Sequence, residues 1–139
     1  MEEKEFVMKK FAVLTIVLSA TALLVAGCPL APSYAVMTLK NVSDTGATIT
    51  EVRFKAPGSA NFGQDMLSGS LSPGNSREFE LDAPLASQDQ EGVEWEVQLT
   101  YDIGGTIDVH DVGTFRCLHA GDEFTWAWEP EDEPDRCID

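Results

Sequence analysis

The chain has 139 residues, and its 24 acidic side chains outnumber nine basic ones, for a formal net charge of −15. That length carries one folded domain, and so negative a surface repels phosphate backbones, which argues against nucleic acid as a partner. It repels anionic lipid headgroups too, so any hold on a membrane must come from something other than surface charge.

The first ten residues, MEEKEFVMKK, balance Lys4, Lys9 and Lys10 against Glu2, Glu3 and Glu5. Residues 11–27 (FAVLTIVLSATALLVAG) carry no charge. As a helix they would cover roughly 25 Å, short of a core of about 30 Å. A signal-peptide core suits this length, with basic residues before it and small ones after it. Met8 offers an alternative start, MKKFAVLT, with two lysines and no acid.

Val25, Ala26, Gly27 and Cys28 close that run, and they resemble the lipobox of bacterial lipoprotein precursors. The resemblance implies a diacylglyceryl group on the Cys28 thiol, cleavage before it and acylation of the new amino terminus. One chain binds a membrane marginally, whereas two or more hold it stably. The expected arrangement is a signal peptide over 1–27 and a lipidated Cys28 opening a proline-rich tether over 28–33. It implies a bacterial cell-envelope location, with the membrane as partner through the lipid. In this family an aspartate after the cysteine signals inner-membrane retention. Pro29 is not that signal, so an outer-membrane or periplasmic-facing position is expected in a Gram-negative host.

Beyond Cys28, apolar residues alternate with polar ones. Residues 93–102 (VEWEVQLTYD) set Val93, Trp95, Val97, Leu99 and Tyr101 against five polar neighbours, the pattern of a strand with one wet face. The same alternation predicts strands over 34–41, 47–55, 77–82, 106–112 and 123–128, with SDTG, SPGNS, GG and HAGD as turns. Within ATITEVRFK the apolar parity shifts between Ile49 and Val52, which predicts a bulge near Thr50–Glu51. At Gly104-Gly105 a two-residue turn would mix wet and dry faces. A three-residue loop is therefore expected, with Tyr101 opposite Ile107 or Val109. Six to eight short strands predict an all-β fold, an antiparallel, Ig-like β-sandwich over 34–128 followed by an acidic tail over 129–139. The expected core is Val36 or Met37, Leu39, Ile49, Val52, Phe54, Phe79, Leu81, Trp95, Val97, Leu99, Ile107, Phe124 and Trp126. The tail, EPEDEPDRCID, reads as solvated and extended.

With Cys28 committed to lipid, Cys117 and Cys137 remain. An exported compartment permits a disulfide between them, closing a loop of nineteen residues worth roughly 3 kcal/mol. Two free thiols, or zinc ligands joined by His119, are the alternatives.

The segments LKNVSDTGATITEVRF, FGQDML, LSPGNSREFEL and YDIGG are similar to small exported bacterial β-domains. The matching residues are Asn41, Ile49, Gly63, Asp65, Leu67, Leu71, Pro73, Gly74, Tyr101 and Asp102. The similarity runs over about residues 39–117, supports the fold and carries no activity with it. Such domains often have a cysteine upstream of Tyr101. None stands there in this chain, which leaves Cys137 to pair with Cys117.

The chemistry-bearing residues are few. His110 sits beside Asp111, and serines abound, but no G-x-S-x-G elbow is present. No catalytic site is expected. Oxygen ligands for calcium are plentiful, with Asp65, Asp102 and Asp122 the candidates beside Asp44, Asp108, Asp111 and Glu123. There is no D-x-D-x-D-G loop, no cofactor is expected, and Asp65 reads equally as a cap for loop N–H groups. The Asn41-Val42-Ser43 triplet reads as chance. Phe62 and Trp128 are the aromatics expected to face a sugar. A lipid-anchored, non-catalytic binding or structural β-domain is expected, with an envelope protein or polysaccharide as ligand. A calcium-dependent adhesion or ligand-binding module is the alternative, and an envelope hydrolase the third reading.

Overall fold

Alternating apolar residues form strands here because each strand can then bury one face and leave the other wet. The computed structural model describes residues 33–139. The expected signal peptide and lipidation at Cys28, and the expected tether as far as residue 32, lie outside the described residues. Seven strands follow: β1 (Tyr34–Asn41), β2 (Thr48–Lys55), β3 (Ser76–Asp82), β4 (Val93–Ile103), β5 (Thr106–Leu118), β6 (Glu123–Trp128) and β7 (Asp135–Cys137). They make two sheets, β3-β1-β6 and β2-β4-β5-β7, packed face to face as a β-sandwich.

The sheets are mixed, where antiparallel pairing was expected. β1 runs parallel to β6, and β5 parallel to β7. The reason lies in the connections. Only β4 and β5 form a hairpin within one sheet, and every other step along the chain changes sheet. Such crossings permit parallel neighbours, which hairpins do not.

The bulge expected in β2 is present. Ile49 faces Tyr101, but Glu51 already faces Thr100, so Thr50 is the extra residue and its hydroxyl donates to Thr100 O at 3.2 Å. The expected pairing of Tyr101 with Val109 is also found. The three-residue loop is not. Ile103 pairs with Thr106 across a two-residue turn in which Gly104 and Gly105 both take positive φ, 55° and 82°. The offset is absorbed one step later, where Ile107 and Asp108 together oppose Asp102 and Asp108 takes φ 58°. That bulge reverses the facing ahead of Val109. Ile107, expected in the core, is therefore 66% exposed.

Of the remaining expected core, Met37 (not Val36), Leu39, Ile49, Val52, Leu81, Val97, Leu99 and Trp126 are buried, while Phe54, Phe79, Trp95 and Phe124 pack partly exposed against them. β5 extends beyond the expected residue 112 to Leu118 and adds Phe115 and Leu118 to the core. Its path is set by Gly113, where a Cβ would stand 3.0 Å from ring atoms of Trp126 and of Phe115. Lacking one, β5 lets the Trp126 indole lie against its backbone. The segment read as a solvated tail carries β7, which adds to the edge of β5 and is mostly exposed.

Candidate functional site

β2 and β3 are edge strands lying one above the other on the same side of the sandwich, with the Phe54 and Phe79 rings 5.2 Å apart between them. Trp95, next to β2 on β4, meets Phe54 edge-on at 6.3 Å, and its indole N–H donates to Asp82 O at 2.9 Å. These three rings are too few to fill the seam between the sheets. They leave a groove of about 520 Å³ lined by Phe54, Gly63, Gln64, Met66, Glu78, Phe79, Glu80, Leu81 and Trp95. Met66 stands at its lip, 54% exposed.

The outer wall of the groove is the connection from residue 56 to residue 75. Loops beyond about 12–15 residues without their own secondary structure usually carry function. This one is fastened along the free edge of β2. Gly63 N donates to Phe54 O at 2.9 Å, Met66 N to Val52 O at 2.7 Å, and Leu71 and Ile49 exchange bonds at 2.9 and 3.1 Å. Asp65 Oδ1 accepts from Val52 N and Leu67 N, both at 2.9 Å. Asp65 is thus the backbone cap that its setting suggested.

Several of the residues quoted for the expected resemblance, Asn41, Leu71 and Gly74 among them, meet behind this wall. Asn41 is fully buried, and its amide donates to Ala47 O at 2.8 Å and Leu71 O at 2.9 Å while its Oδ1 accepts from Ser43 N at 3.0 Å. Gly74 N donates to Asn41 O at 2.8 Å. The side-chain nitrogen that a glycan would need is buried and fully engaged, so the Asn41-Val42-Ser43 triplet serves the fold. Asn41, Asp65, Leu71 and Gly74 tie the second half of the long connection to β1 and β2, and their chemistry is structural.

The other candidates are dispersed. Cys117 and Cys137 are joined as a disulfide, which removes both from any zinc set. His119 instead places Nε2 2.9 Å from Asp89 O. Asp122 Oδ2 accepts from His119 N at 2.8 Å within the HAGD turn, and Asp102 Oδ1 accepts from Asp108 N at 3.4 Å beside the β5 bulge. Asp65, Asp102 and Asp122 each serve their own loop, and among the described residues no group of three His, Cys, Asp or Glu is placed to hold a metal. His110 is exposed on β5 with Nδ1 3.0 Å from the hydroxyl of buried Thr100. Its neighbour Asp111 points to the opposite face. Trp128, expected to face a sugar, is fully buried, and Phe62 is half-buried outside the groove.

Asp111, which the sequence offered only as one of several oxygen ligands for calcium and as the neighbour of His110, is the most deeply buried carboxylate among the described residues. It is 4% exposed, facing inward from β5. Trp128 Nε1 and Glu131 N donate to its Oδ2 at 2.9 and 2.8 Å, and the Tyr101 hydroxyl donates to Oδ1 at 3.3 Å. Burial pushes the carboxyl above its ordinary value, the three donors pull it back, and the charge of Glu133 pushes it up again. The Tyr101 hydroxyl is raised in turn, first by burial and then by Asp111. The Asp111 carboxylate is held by three donors of its own chain. Its work is to fasten the 129–131 turn over the end of the sandwich. Alternation along β5 placed Asp111 inward, and that parity was the available signal.

No protein-family model matches the chain, and no curated protein or solved structure matches it either.

Proposed function

We propose that the chain is a lipid-anchored, non-catalytic binding domain of a bacterial cell envelope, tethered through Cys28 and presenting the groove between β2 and β3 to its ligand. One observation carries the binding half of this reading. Three aromatic rings and Met66 line an unfilled apolar groove of about 520 Å³ on a firmly braced wall. Apolar concave surface with a few polar groups at its margin is the usual form of a binding site. The anchoring half rests on the lipobox-like VAGC sequence.

The calcium-dependent alternative draws less support, because its three candidate carboxylates are spent on separate loops. A hydrolase draws less still. His110 has Thr100 beside it, and the adjacent carboxylate, Asp111, is turned into the core, so nucleophile, base and orienter do not converge.

The test is a photoreactive side chain placed at Met66, irradiated in native membranes, with the same group at Glu94 for comparison. Met66 lines the groove and Glu94 does not. The expected result is an adduct with an envelope component from Met66 alone. Equal labelling from both positions, or none, overturns the binding reading. Intact mass of the membrane-extracted chain tests the anchor, with acyl mass on a chain that begins at Cys28 as the expected result.

A further inference from the structure

Two hydrogen bonds fix which way the backbone of β3 faces. Ala83 N donates to Ser33 O at 3.0 Å and Asn41 N to Asn75 O at 3.0 Å. Both lie on the β1/β3 register that pairs Ala35 with Leu81, Met37 with Phe79 and Leu39 with Arg77. Hydrogen-bonded and non-bonded pairs alternate along an antiparallel ladder. Arg77, Phe79 and Leu81 therefore turn their N–H and C=O groups toward β1, and Ser76, Glu78, Glu80 and Asp82 turn theirs away. The Asp82 carbonyl is taken by Trp95. At Glu78 and Glu80 the outward backbone groups meet no partner among the described residues, and they line the groove.

The other three sheet edges are managed. The long connection pairs with the free side of β2. Arg136 donates to Thr125 O at 2.6 Å across the free side of β6. β7 is only three residues long, a length that offers little to an incoming strand. At β3, among the described residues, the outward backbone groups of Glu78 and Glu80 stand unused beside an apolar groove.

We infer that the free edge of β3 accepts an extended polypeptide as an added strand, one that alternates basic and large apolar side chains. This rests on the binding reading above and names its ligand class. Residues opposite Glu78 and Glu80 share their face of the sheet, where a lysine or arginine finds a carboxylate. The residues between them share the face of Phe79 and Leu81 and enter the groove beside Phe54, Met66 and Trp95. Backbone bonds supply the affinity, and the two alternating faces supply the selection. A second copy of this chain fits poorly. β3 against β3 would bring Glu78 and Glu80 against acids on a partner that shares the net charge of −15. A glycan could stack on the rings but would leave the backbone row unused.

The test uses the full chain and a capped heptapeptide alternating lysine and leucine. A second peptide carries N-methyl groups on the lysines, whose amides face β3 in an antiparallel pairing, a third carries them on the leucines, whose amides face β3 in a parallel one, and a fourth replaces lysine by glutamate. The expected result is saturable binding of the first, weakened at least about tenfold by one of the two N-methylations, with slowed hydrogen exchange at the Glu78 and Glu80 amides. Both glutamates are exposed, so the double variant Glu78→Lys/Glu80→Lys should fold and should prefer the glutamate peptide. Binding that ignores both N-methylations, or a charge swap that leaves the preference unchanged, overturns strand addition. If the peptides fail while Met66 still labels a polysaccharide in native membranes, the inference falls and the binding reading stands. If both fail, both fall.

Discussion

Along the side where β6 faces β5 and β7, the sheets are stitched together. The Trp126 indole lies against Gly113, Arg136 spans from the Phe115 ring to Thr125 O, Asp111 gathers Trp128, Tyr101 and the 129–131 turn, and the Cys117–Cys137 bridge fastens the last strand. Along the side where β2 faces β3, Phe79 tilts against Phe54 and Trp95 meets it edge-on, and the three rings stop short of filling the space. Both sides are rich in aromatic residues. The difference lies in the polar atoms. On the stitched side, indole and backbone N–H groups find buried carboxylate oxygens, and the chain covers its own edge. On the open side, the backbone of β3 is left with its hydrogen-bonding row facing out. Stability is concentrated on one flank, so the other can remain unfilled.

The stitched side should therefore bear the largest losses. Asp111→Ala orphans two buried donors, Trp128 Nε1 and the Tyr101 hydroxyl, and the part-buried Glu131 N–H, and should cost about 4 kcal/mol in urea denaturation. A loss below 1 kcal/mol would show that the carboxylate fastens nothing. Cys117→Ser with Cys137→Ser should cost roughly 3 kcal/mol, with β7 amides exchanging faster than those of β4. Uniform acceleration throughout would mean that the bridge does not act locally. On the open side, Phe79→Ala removes a half-exposed ring and should cost about 1 kcal/mol, less than a buried phenylalanine does. A cost near that of Asp111→Ala would abolish the contrast between the flanks.

The smallest effect concerns pH. The folded-state carboxyl of Asp111 titrates above its ordinary value of 3.8, chiefly through burial. Ionisation of this group thus opposes folding at neutral pH, and the opposition is lost as pH falls through the raised value toward 3.8. Asp111→Asn keeps two donors satisfied through its amide oxygen and offers its NH2 to the Tyr101 hydroxyl, so it should fold. Relative to that variant, the wild type should gain stability on acidification over this window. A difference independent of pH would show that Asp111 ionises alike in both states.

Much of this was legible beforehand. Alternation in REFELD, VEWEVQLTYD and EFTWAW assigned the inward faces, and the parity break in ATITEVRFK located the bulge. Asp65 was recognisable as a loop cap. What escaped depended on long-range geometry. Ile107 belongs to the dry parity of its segment, but a bulge at Asp108, one residue on, turns it outward. Trp128 alternates correctly, yet only its convergence with Asp111 shows that its N–H has an internal partner. The parallel pairs and the exposed edge of β3 are consequences of strand order, which no local pattern encodes. The groove was missed for the same reason: Phe54, Phe79 and Trp95 read as ordinary core until β2 and β3 prove to be edges.

The placement of β1 has a kinetic consequence. This strand sits at the centre of its sheet, between β3 and β6. Its second neighbour arrives late, since Val36 pairs with Glu123 and Asn41 with Trp128. During synthesis β1 must therefore wait for more than half the domain to emerge before its sheet is whole. Pairings so distant in sequence raise the contact order, and chains of high contact order fold in milliseconds to seconds, not microseconds. Until β6 docks, the N–H and C=O groups of β1 that turn toward it have no strand partner, so the nascent sheet carries a second open edge well before the groove exists.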